Sequence, residues 1–165
     1  LVHFDAHTDT WPDEDGRLDH GTMFSRAIKE DLIDTKHSIQ VGIRTHNSNT
    51  KGVTILDSPW VHKNGVDKVI KKIIEVVKDR PTYLTFDIDG LDPAYAPGTG
   101  TPVAGGLTSA QALAIIRGLD GLNFIGADVV EVAPAYDHSE ITAIAAATIA
   151  HDYLVIRAKQ KMSDK

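Results

Sequence analysis

The chain has 165 residues, enough for one domain with a buried core. Its 42% hydrophobic and 24% charged residues are typical of globular domains. The formal net charge of −6 gives no basic surface for nucleic acid or for an anionic membrane. The lack of cysteine excludes disulfides and thiolate chemistry and is compatible with a reducing, cytoplasmic compartment. No apolar run approaches the roughly 20 residues of a membrane span, so we expect no membrane partner.

The chain opens on a short apolar strand, Leu1 to Phe4, without an initiator Met or a signal-peptide pattern. A native protein rarely begins on a buried strand. We therefore expect residues 1–165 to form a single catalytic domain that lacks its N-terminal part.

Strands and helices alternate along the rest of the chain. β-branched, aromatic and apolar content predicts strands at residues 38–43, 53–56, 82–87 and 123–130. Apolar residues at helical spacing and capping residues predict helices at residues 66–77, 108–117 and 139–159. Thr108 or Ser109 is the expected cap of the second helix and Ser139 that of the third. This alternation predicts an α/β fold with a mostly parallel sheet between helical layers, whose ligands bind at the carboxyl ends of the strands.

Two of the predicted strand ends carry acidic residues. Asp5, His7 and Asp9 follow the first strand with a period of two, so they project to one side if the extended geometry continues. Asp87 and Asp89 follow the 82–87 strand with the same period. Four adjacent carboxylates repel one another unless divalent cations supply a counter-charge. The oxygen-rich, sulfur-free ligand set favours Mn²⁺ over Mg²⁺ or Zn²⁺, and two such ions can share a water molecule.

Each motif alone has other interpretations. A single Asp-x-His is usually a cap or a turn, and Asp-x-Asp-Gly is common in turns and calcium loops. An EF-hand is excluded because Gly98 stands at the twelfth loop position, where Glu is required. A haloacid-dehalogenase-type phosphatase has Thr where this chain has Leu91, and it leaves Asp5, His7 and Asp9 unexplained. The two motifs together favour a metal centre.

The chain resembles the ureohydrolase (arginase and agmatinase) family over essentially all of its length. The resemblance rests on five blocks in the family's order: Asp-Ala-His-Thr-Asp at 5–9, Asp-His-Gly-Thr-Met-Phe at 19–24, Phe-Asp-Ile-Asp-Gly-Leu-Asp-Pro at 86–93, Gly-Thr-Gly-Thr-Pro at 98–102 and Glu-Val-Ala-Pro-Ala-Tyr-Asp at 131–137. The 19–24 block is most like the agmatinase branch. The resemblance implies an arginase-like three-layer α/β/α domain, of which this chain is the C-terminal portion.

The resemblance further implies a centre of two Mn²⁺ ions. By motif, Asp5 and Asp87 bridge the ions, Asp9 binds one of them, and His7 and Asp89 bind the other. The family's remaining ligand is a His in a Gly-Gly-Asp-His segment that lies upstream of this start. No such segment occurs in the chain.

The missing ligand leaves two interpretations open, an active enzyme and an inactive metal-binding fragment. His3, which precedes the first motif, is not the equivalent of that ligand. Ureohydrolases commonly form trimers or hexamers, so we also expect a homo-oligomer.

The family's reaction is attack of a metal-bridging hydroxide on a guanidinium carbon, which yields urea and an amine. The resemblance makes His20 the proton shuttle, a task that an imidazole suits near neutral pH. It makes Glu131 the residue that holds the guanidinium through a paired contact.

The loop at 10–19 bears on the substrate. It is acidic and lacks Ser and Asn, which suits a small cationic substrate such as agmatine, with putrescine as product. The same acidic run is equally typical of a solvated surface, and arginine or guanidinobutyrate are the alternative substrates. Trp11 is expected to pack either on the aliphatic chain of the substrate or on the protein. The acidic side chains of this loop are Asp13, Glu14, Asp15 and Asp19.

Overall fold

A computed structural model of the chain describes residues 1–12, 16 and 18–163. Its strands are β1 (Val2–Phe4), β2 (Ile39–Ile43), β3 (Thr54–Asp57), β4 (Thr82–Asp87) and β5 (Phe124–Val130). Its α-helices are α1 (Met23–Lys29), α2 (Ser58–Asn64), α3 (Val66–Val77), α4 (Ser109–Gly118) and α5 (Ile141–Ser163). Short 3₁₀ helices occupy Thr35–His37, Ile88–Gly90 and Pro134–Tyr136.

The five strands form one parallel sheet in the order β3-β2-β1-β4-β5. The strand that comes first in the sequence therefore lies at the centre, where Phe4 pairs with Val41 on one side and with Phe86 on the other. Because all strands run in the same direction, their carboxyl ends meet at one edge of the sheet. Asp5 and Asp87 thereby come to the same edge, although they are far apart in the chain.

One face of the sheet builds the apolar core. Alternate strand residues such as Phe4, Val41 and Phe86 point into it, and the Phe4 and Phe86 rings stack with centroids 4.9 Å apart. Helices α2 to α5 cover this face through buried aliphatic side chains, among them Val61, Val69, Ile73, Ile115, Ile116 and Ile149. Burial on this scale supplies the main favourable free energy of such a domain.

The opposite face is polar where it lies beneath the site. His3, Gln40 and Thr85 are buried there, at 1%, 0% and 3% exposure. Helix α1 lies over this face and brings the Phe24 ring against His3, with centroids 4.7 Å apart. Helices on both faces of a parallel sheet confirm the predicted three-layer α/β/α fold.

The predicted elements differ from the observed ones at several points. Helices α1 and α2 were not predicted. Helix α3, by contrast, has its predicted bounds, and Lys78 directly after it turns left-handed (φ 58°). Ser139 is not the cap of α5, because its φ is 53°; instead the Asp137 carboxylate accepts hydrogen bonds from the Thr142 and Ala143 nitrogens, both at 3.0 Å.

Helix α5 corrects the expectation that no apolar run approaches the length of a membrane span. By length and composition alone, its 22-residue stretch Ile141–Met162 would suffice. In this fold α5 packs on α4 and β5, with Ile149 and Ile156 in the core and Asp152 in a 2.7 Å salt bridge with Arg117. The composition of one helix does not establish a membrane span.

Candidate metal centre and substrate cleft

The acidic motif after β1 leaves the extended conformation at once. The Asp5 carboxylate accepts a hydrogen bond from the His7 backbone nitrogen at 2.6 Å, and Asp9 is left-handed, with φ 51°. The prediction that a continuing strand aligns Asp5, His7 and Asp9 is therefore wrong in its geometry. Turns, and not strand alternation, bring the three side chains to one side.

The second motif turns in the same way. Asp87 is the last residue of β4, and its carboxylate accepts a hydrogen bond from the Asp89 nitrogen at 2.9 Å, which opens the 3₁₀ helix Ile88–Gly90. Asp89 is thereby directed toward the first motif, where its carboxylate accepts from the Ala6 nitrogen at 3.0 Å. Thr101 donates to the other oxygen of Asp89 at 3.2 Å.

Two groups of side chains in the described part of the chain have the spacing of a metal site. In one, His7 Nδ1 lies 3.2 Å from Asp5 Oδ1 and 3.1 Å from Asp89 Oδ2. In the other, ligand atoms of His3, Asp5 and Asp9 lie within 4.8 Å of one another. Asp5 belongs to both groups, which is the position that a bridging carboxylate requires.

The pKa values show how crowded the carboxylates are. Burial, together with the charge of Asp5, raises the pKa of Asp9 to about 7. Burial, together with the charges of Asp5 and Asp89, raises the pKa of Asp87 to about 9. Burial also disfavours ionisation of Asp5, but hydrogen bonds with His3 and His7 outweigh it and lower that pKa. Hydrogen bonds to Asp5 and Asp89 raise the pKa of His7 to about 10.

This donor set fits divalent cations. The buried carboxylates outnumber the imidazoles beside them, and the raised pKa values of Asp9 and Asp87 show that further positive charge would favour their ionised forms. The ligands are hard oxygens with one borderline nitrogen, as Mn²⁺ sites prefer. The metal ligation of Asp5, His7, Asp9, Asp87 and Asp89 remains a prediction.

Arg44, at the end of β2, supports the turn that carries Asp89. Its guanidinium donates to the backbone oxygens of Gly42 (3.0 Å), Asp89 (2.6 Å), Leu91 (3.1 Å) and Val103 (2.6 Å). With the Gly90 oxygen at 3.4 Å, five carbonyl groups from three segments are joined by one side chain, which fixes the Asp89 turn relative to β2.

A cleft of about 220 Å³ opens beside the candidate metal ligands. The residues that line it are His7, Asp9, Trp11, His20, Gly21, Met23, Asp87, Thr101, Val130 and Glu131. All three predicted substrate residues, Trp11, His20 and Glu131, therefore face the same space as Asp9 and Asp87. The cleft is large enough for a small linear molecule.

The cleft residues differ in how they are held. Glu131 follows β5 in a left-handed conformation, with φ 63°. His20 is exposed in the turn that precedes α1. Trp11 is half-buried, and its ring centroid lies 6.3 Å from that of His7. The backbone nitrogen of Trp11 donates to the backbone oxygen of Gly21 at 3.1 Å.

The acidic loop can be located only in part. Asp13, Glu14 and Asp15 lie outside the described residues. Asp19 is described, and its carboxylate accepts a hydrogen bond from the Gly21 nitrogen at 3.0 Å. Asp19 thus shapes the turn that presents His20, and the role of this loop in substrate choice remains a prediction.

Sequence reasoning missed three residues that contact the site. These are His3 and Gln40, beneath Asp5, and Arg44, behind Asp89. A polar residue within a buried strand was the available signal for His3 and Gln40, since buried polar side chains usually have a specific partner.

Comparison with known proteins places this geometry in a family. The model of the arginase family matches residues 1–155. The chain belongs to the arginase family. This membership accounts for the order of the acidic motifs and for the parallel sheet that carries them.

Relatives within the arginase family extend the comparison. An agmatinase of Chromobacterium violaceum is 62% identical over 99% of this chain and 51% of its own length. The crystal structure of a hypothetical agmatinase from Burkholderia thailandensis superposes with a TM-score of 0.96 at 62% identity, over 99% of this chain and 51% of that one. Proclavaminate amidino hydrolase from Streptomyces clavuligerus has a TM-score of 0.90 at 44% identity, over 94% of this chain and 54% of that one. The chain thus spans about half the length of these relatives.

Proposed function

We propose that the protein to which this chain belongs hydrolyses the guanidino group of agmatine to urea and putrescine. The observation that carries the proposal is the cleft in which Asp9, Asp87, His20 and Glu131 face one another. The 62% identity to an agmatinase supports the choice of substrate.

The first role of the metal ligands is to bind divalent cations through their negative charge. When bound, two divalent cations neutralise the buried carboxylates and lower the pKa of a shared water molecule toward neutrality. By motif, Asp5 and Asp87 would bridge the two ions and His7 and Asp89 would hold one of them, which the grouping of Asp5 with His7 and Asp89 supports. Asp9 lies on the other side, beside the substrate cleft.

Glu131 positions the substrate. Its carboxylate is suited to hold a planar guanidinium through two parallel hydrogen bonds, which presents the guanidino carbon to the attacking oxygen. The left-handed backbone at Glu131 supports this role, because strained residues are concentrated at functional sites.

His20 completes the proton balance. Water adds through its oxygen to the guanidino carbon and loses one proton to solvent, which gives a neutral tetrahedral intermediate. The C–N bond to the alkyl chain then breaks, and the remaining O–H proton leaves as urea forms. The leaving nitrogen needs a proton, which the His20 imidazole donates and regains from solvent. The exposure of His20 at the mouth of the cleft permits that exchange.

The other end of the substrate distinguishes agmatine from arginine. Agmatine has no carboxylate and ends in an ammonium group, which the acidic composition of the 10–19 segment suits, and Trp11 in the cleft lining can pack against its alkyl chain. Arginine and guanidinobutyrate carry a carboxylate, which the acidic composition of the 10–19 segment disfavours because like charges repel.

The decisive experiment is urea release from agmatine, arginine and guanidinobutyrate with added Mn²⁺, using the protein as its gene encodes it. We expect agmatine to be turned over most efficiently. Equal or better turnover of arginine would refute the substrate assignment. Retained Mn²⁺ binding without urea release would instead support the alternative of an inactive metal-binding chain.

A further inference from the structure

We propose that His3 is a positioning residue that orients the Asp5 carboxylate for metal binding, and that Gln40 fixes the His3 ring in the tautomer required. The inference rests on the proposed metal centre. The Asp5 oxygen Oδ2 lies 2.7 Å from His3 Nε2, and both side chains are 1% exposed.

The tautomer follows from the partners of Gln40. The Thr8 backbone oxygen can only accept, so the Gln40 atom 2.7 Å from it is the amide nitrogen, which donates. That nitrogen also lies 3.0 Å from His3 Nδ1, which must therefore accept. The proton of the neutral ring is then on Nε2, from which it is donated to Asp5.

This tautomer distinguishes positioning from metal ligation. His3 lies close enough to Asp5 and Asp9 to be grouped with them as a ligand. A protonated Nε2 has no lone pair for a cation, and the lone pair of Nδ1 is engaged by Gln40. His3 therefore acts on the metal through Asp5, as residues hydrogen-bonded to metal ligands commonly do.

The surroundings hold this arrangement rigidly. Gln40 is fully buried, and the Phe24 ring makes an edge contact with the His3 ring at an interplanar angle of 61°. On its other oxygen Asp5 accepts from the His7 nitrogen at 2.6 Å. Donors on both oxygens fix the plane of the carboxylate before a cation binds, and buried hydrogen bonds to a charged acceptor are strong.

The test compares His3→Gln with His3→Met in the protein as its gene encodes it. Glutamine can place an amide nitrogen near the position of Nε2 and donate to Asp5, whereas methionine has similar length and no donor. We expect His3→Met to weaken Mn²⁺ binding about 10- to 100-fold, and His3→Gln to retain most of the affinity. Mn²⁺ affinity is measured by titration without substrate, so a failure of the agmatinase assignment does not affect it.

A second variant tests the hydrogen bond between Gln40 and His3 by itself. Gln40→Met removes the donor to Nδ1 without touching Asp5, and we expect a smaller loss of Mn²⁺ affinity than in His3→Met. The KM for substrate should not change in any variant, because neither His3 nor Gln40 lines the cleft. If His3→Met does not fold, His3→Gln and Gln40→Met still decide the question.

Three outcomes would overturn the proposal. The first is a folded His3→Met protein with unchanged Mn²⁺ affinity. The second is equal loss in His3→Gln and His3→Met, which would assign the effect to ring packing against Phe24. The third is spectroscopic loss of one histidine nitrogen from the Mn²⁺ sphere in His3→Gln, which would make His3 a ligand.

Discussion

Gly90 and Asp5 pack so closely that a Cβ atom at position 90 would lie 3.0 Å from the Asp5 backbone nitrogen. It would also lie 3.3 Å from the Asp5 Cα atom. The two acidic motifs are thus brought together by backbone contact, in addition to the hydrogen bond from Ala6 to Asp89.

Gly90→Ala should separate the two motifs by a few tenths of an ångström. We expect Mn²⁺ affinity to fall about 10-fold, as displaced ligand geometry commonly causes. Gly65→Ala is the control. Alanine at this position is strained by the backbone φ of 78°, but no atom lies within 4 Å of the added Cβ atom, and Gly65 lies away from the site. Titration with Mn²⁺ should separate the two variants, and equal affinities would contradict the prediction.

Metal binding should depend steeply on pH. The pKa values of about 7 for Asp9, 9 for Asp87 and 10 for His7 lie at or above neutrality, so the metal-free cluster holds protons at pH 7. These protons must leave when a cation binds, and affinity therefore rises with pH from 6 to 9. Calorimetry in buffers of different ionisation enthalpy should detect the released protons. Affinity that does not change over this range, or that is highest in acid, would contradict the prediction.

We expect Glu131 to bind substrate at a cost in the free energy of unfolding. A non-glycine residue in the left-handed region costs roughly 1 kcal/mol, a strain that glycine relieves. Glu131→Gly should therefore unfold at higher urea concentration than Glu131→Ala, by about 1 kcal/mol in the free energy of unfolding. Both variants should lose substrate affinity and keep Mn²⁺ affinity. If Glu131→Ala is the more stable of the two, the left-handed backbone is not strained.

Arg44→Lys should destabilise the fold. Lysine cannot reach all of the carbonyl groups that the guanidinium joins, and unpaired buried acceptors cost about 2 kcal/mol in the free energy of unfolding. Arg117→Lys is the matched control, since that exposed side chain bonds only Asp152 among the contacts described and should cost less than about 1 kcal/mol. Urea denaturation measures both, and equal losses would contradict the role of Arg44.

The sequence predicts the strongly patterned elements well. The bounds of α3 and β4 agree with prediction because Val66–Val77 repeats apolar residues over three turns and Thr82–Asp87 is dense in β-branched and aromatic residues. Helices α1 and α2 have seven residues each, too few for a clear period. Their positions depend on packing that no local pattern encodes.

The site was predictable in composition but not in geometry. The motifs identify Asp5, His7 and Asp89, and parallel pairing explains why they meet. The left-handed backbone at Asp9 and Glu131 was not predictable, because neither residue is glycine and the conformation is set by tertiary contacts. The contacts of His3 and Arg44 are also long-range and carry no short motif.

The central position of β1 leads us to expect that the sheet closes late in folding. Phe4 completes its pairing only when Phe86 joins it, and closing the long loop between them costs chain entropy before the pairing is gained. The two halves of the cation site, at Asp5 and Asp89, are separated by the same long loop. Mn²⁺ capture should therefore occur late in refolding, and a metal-sensitive signal in stopped-flow experiments would report closure of the sheet and not collapse of the chain.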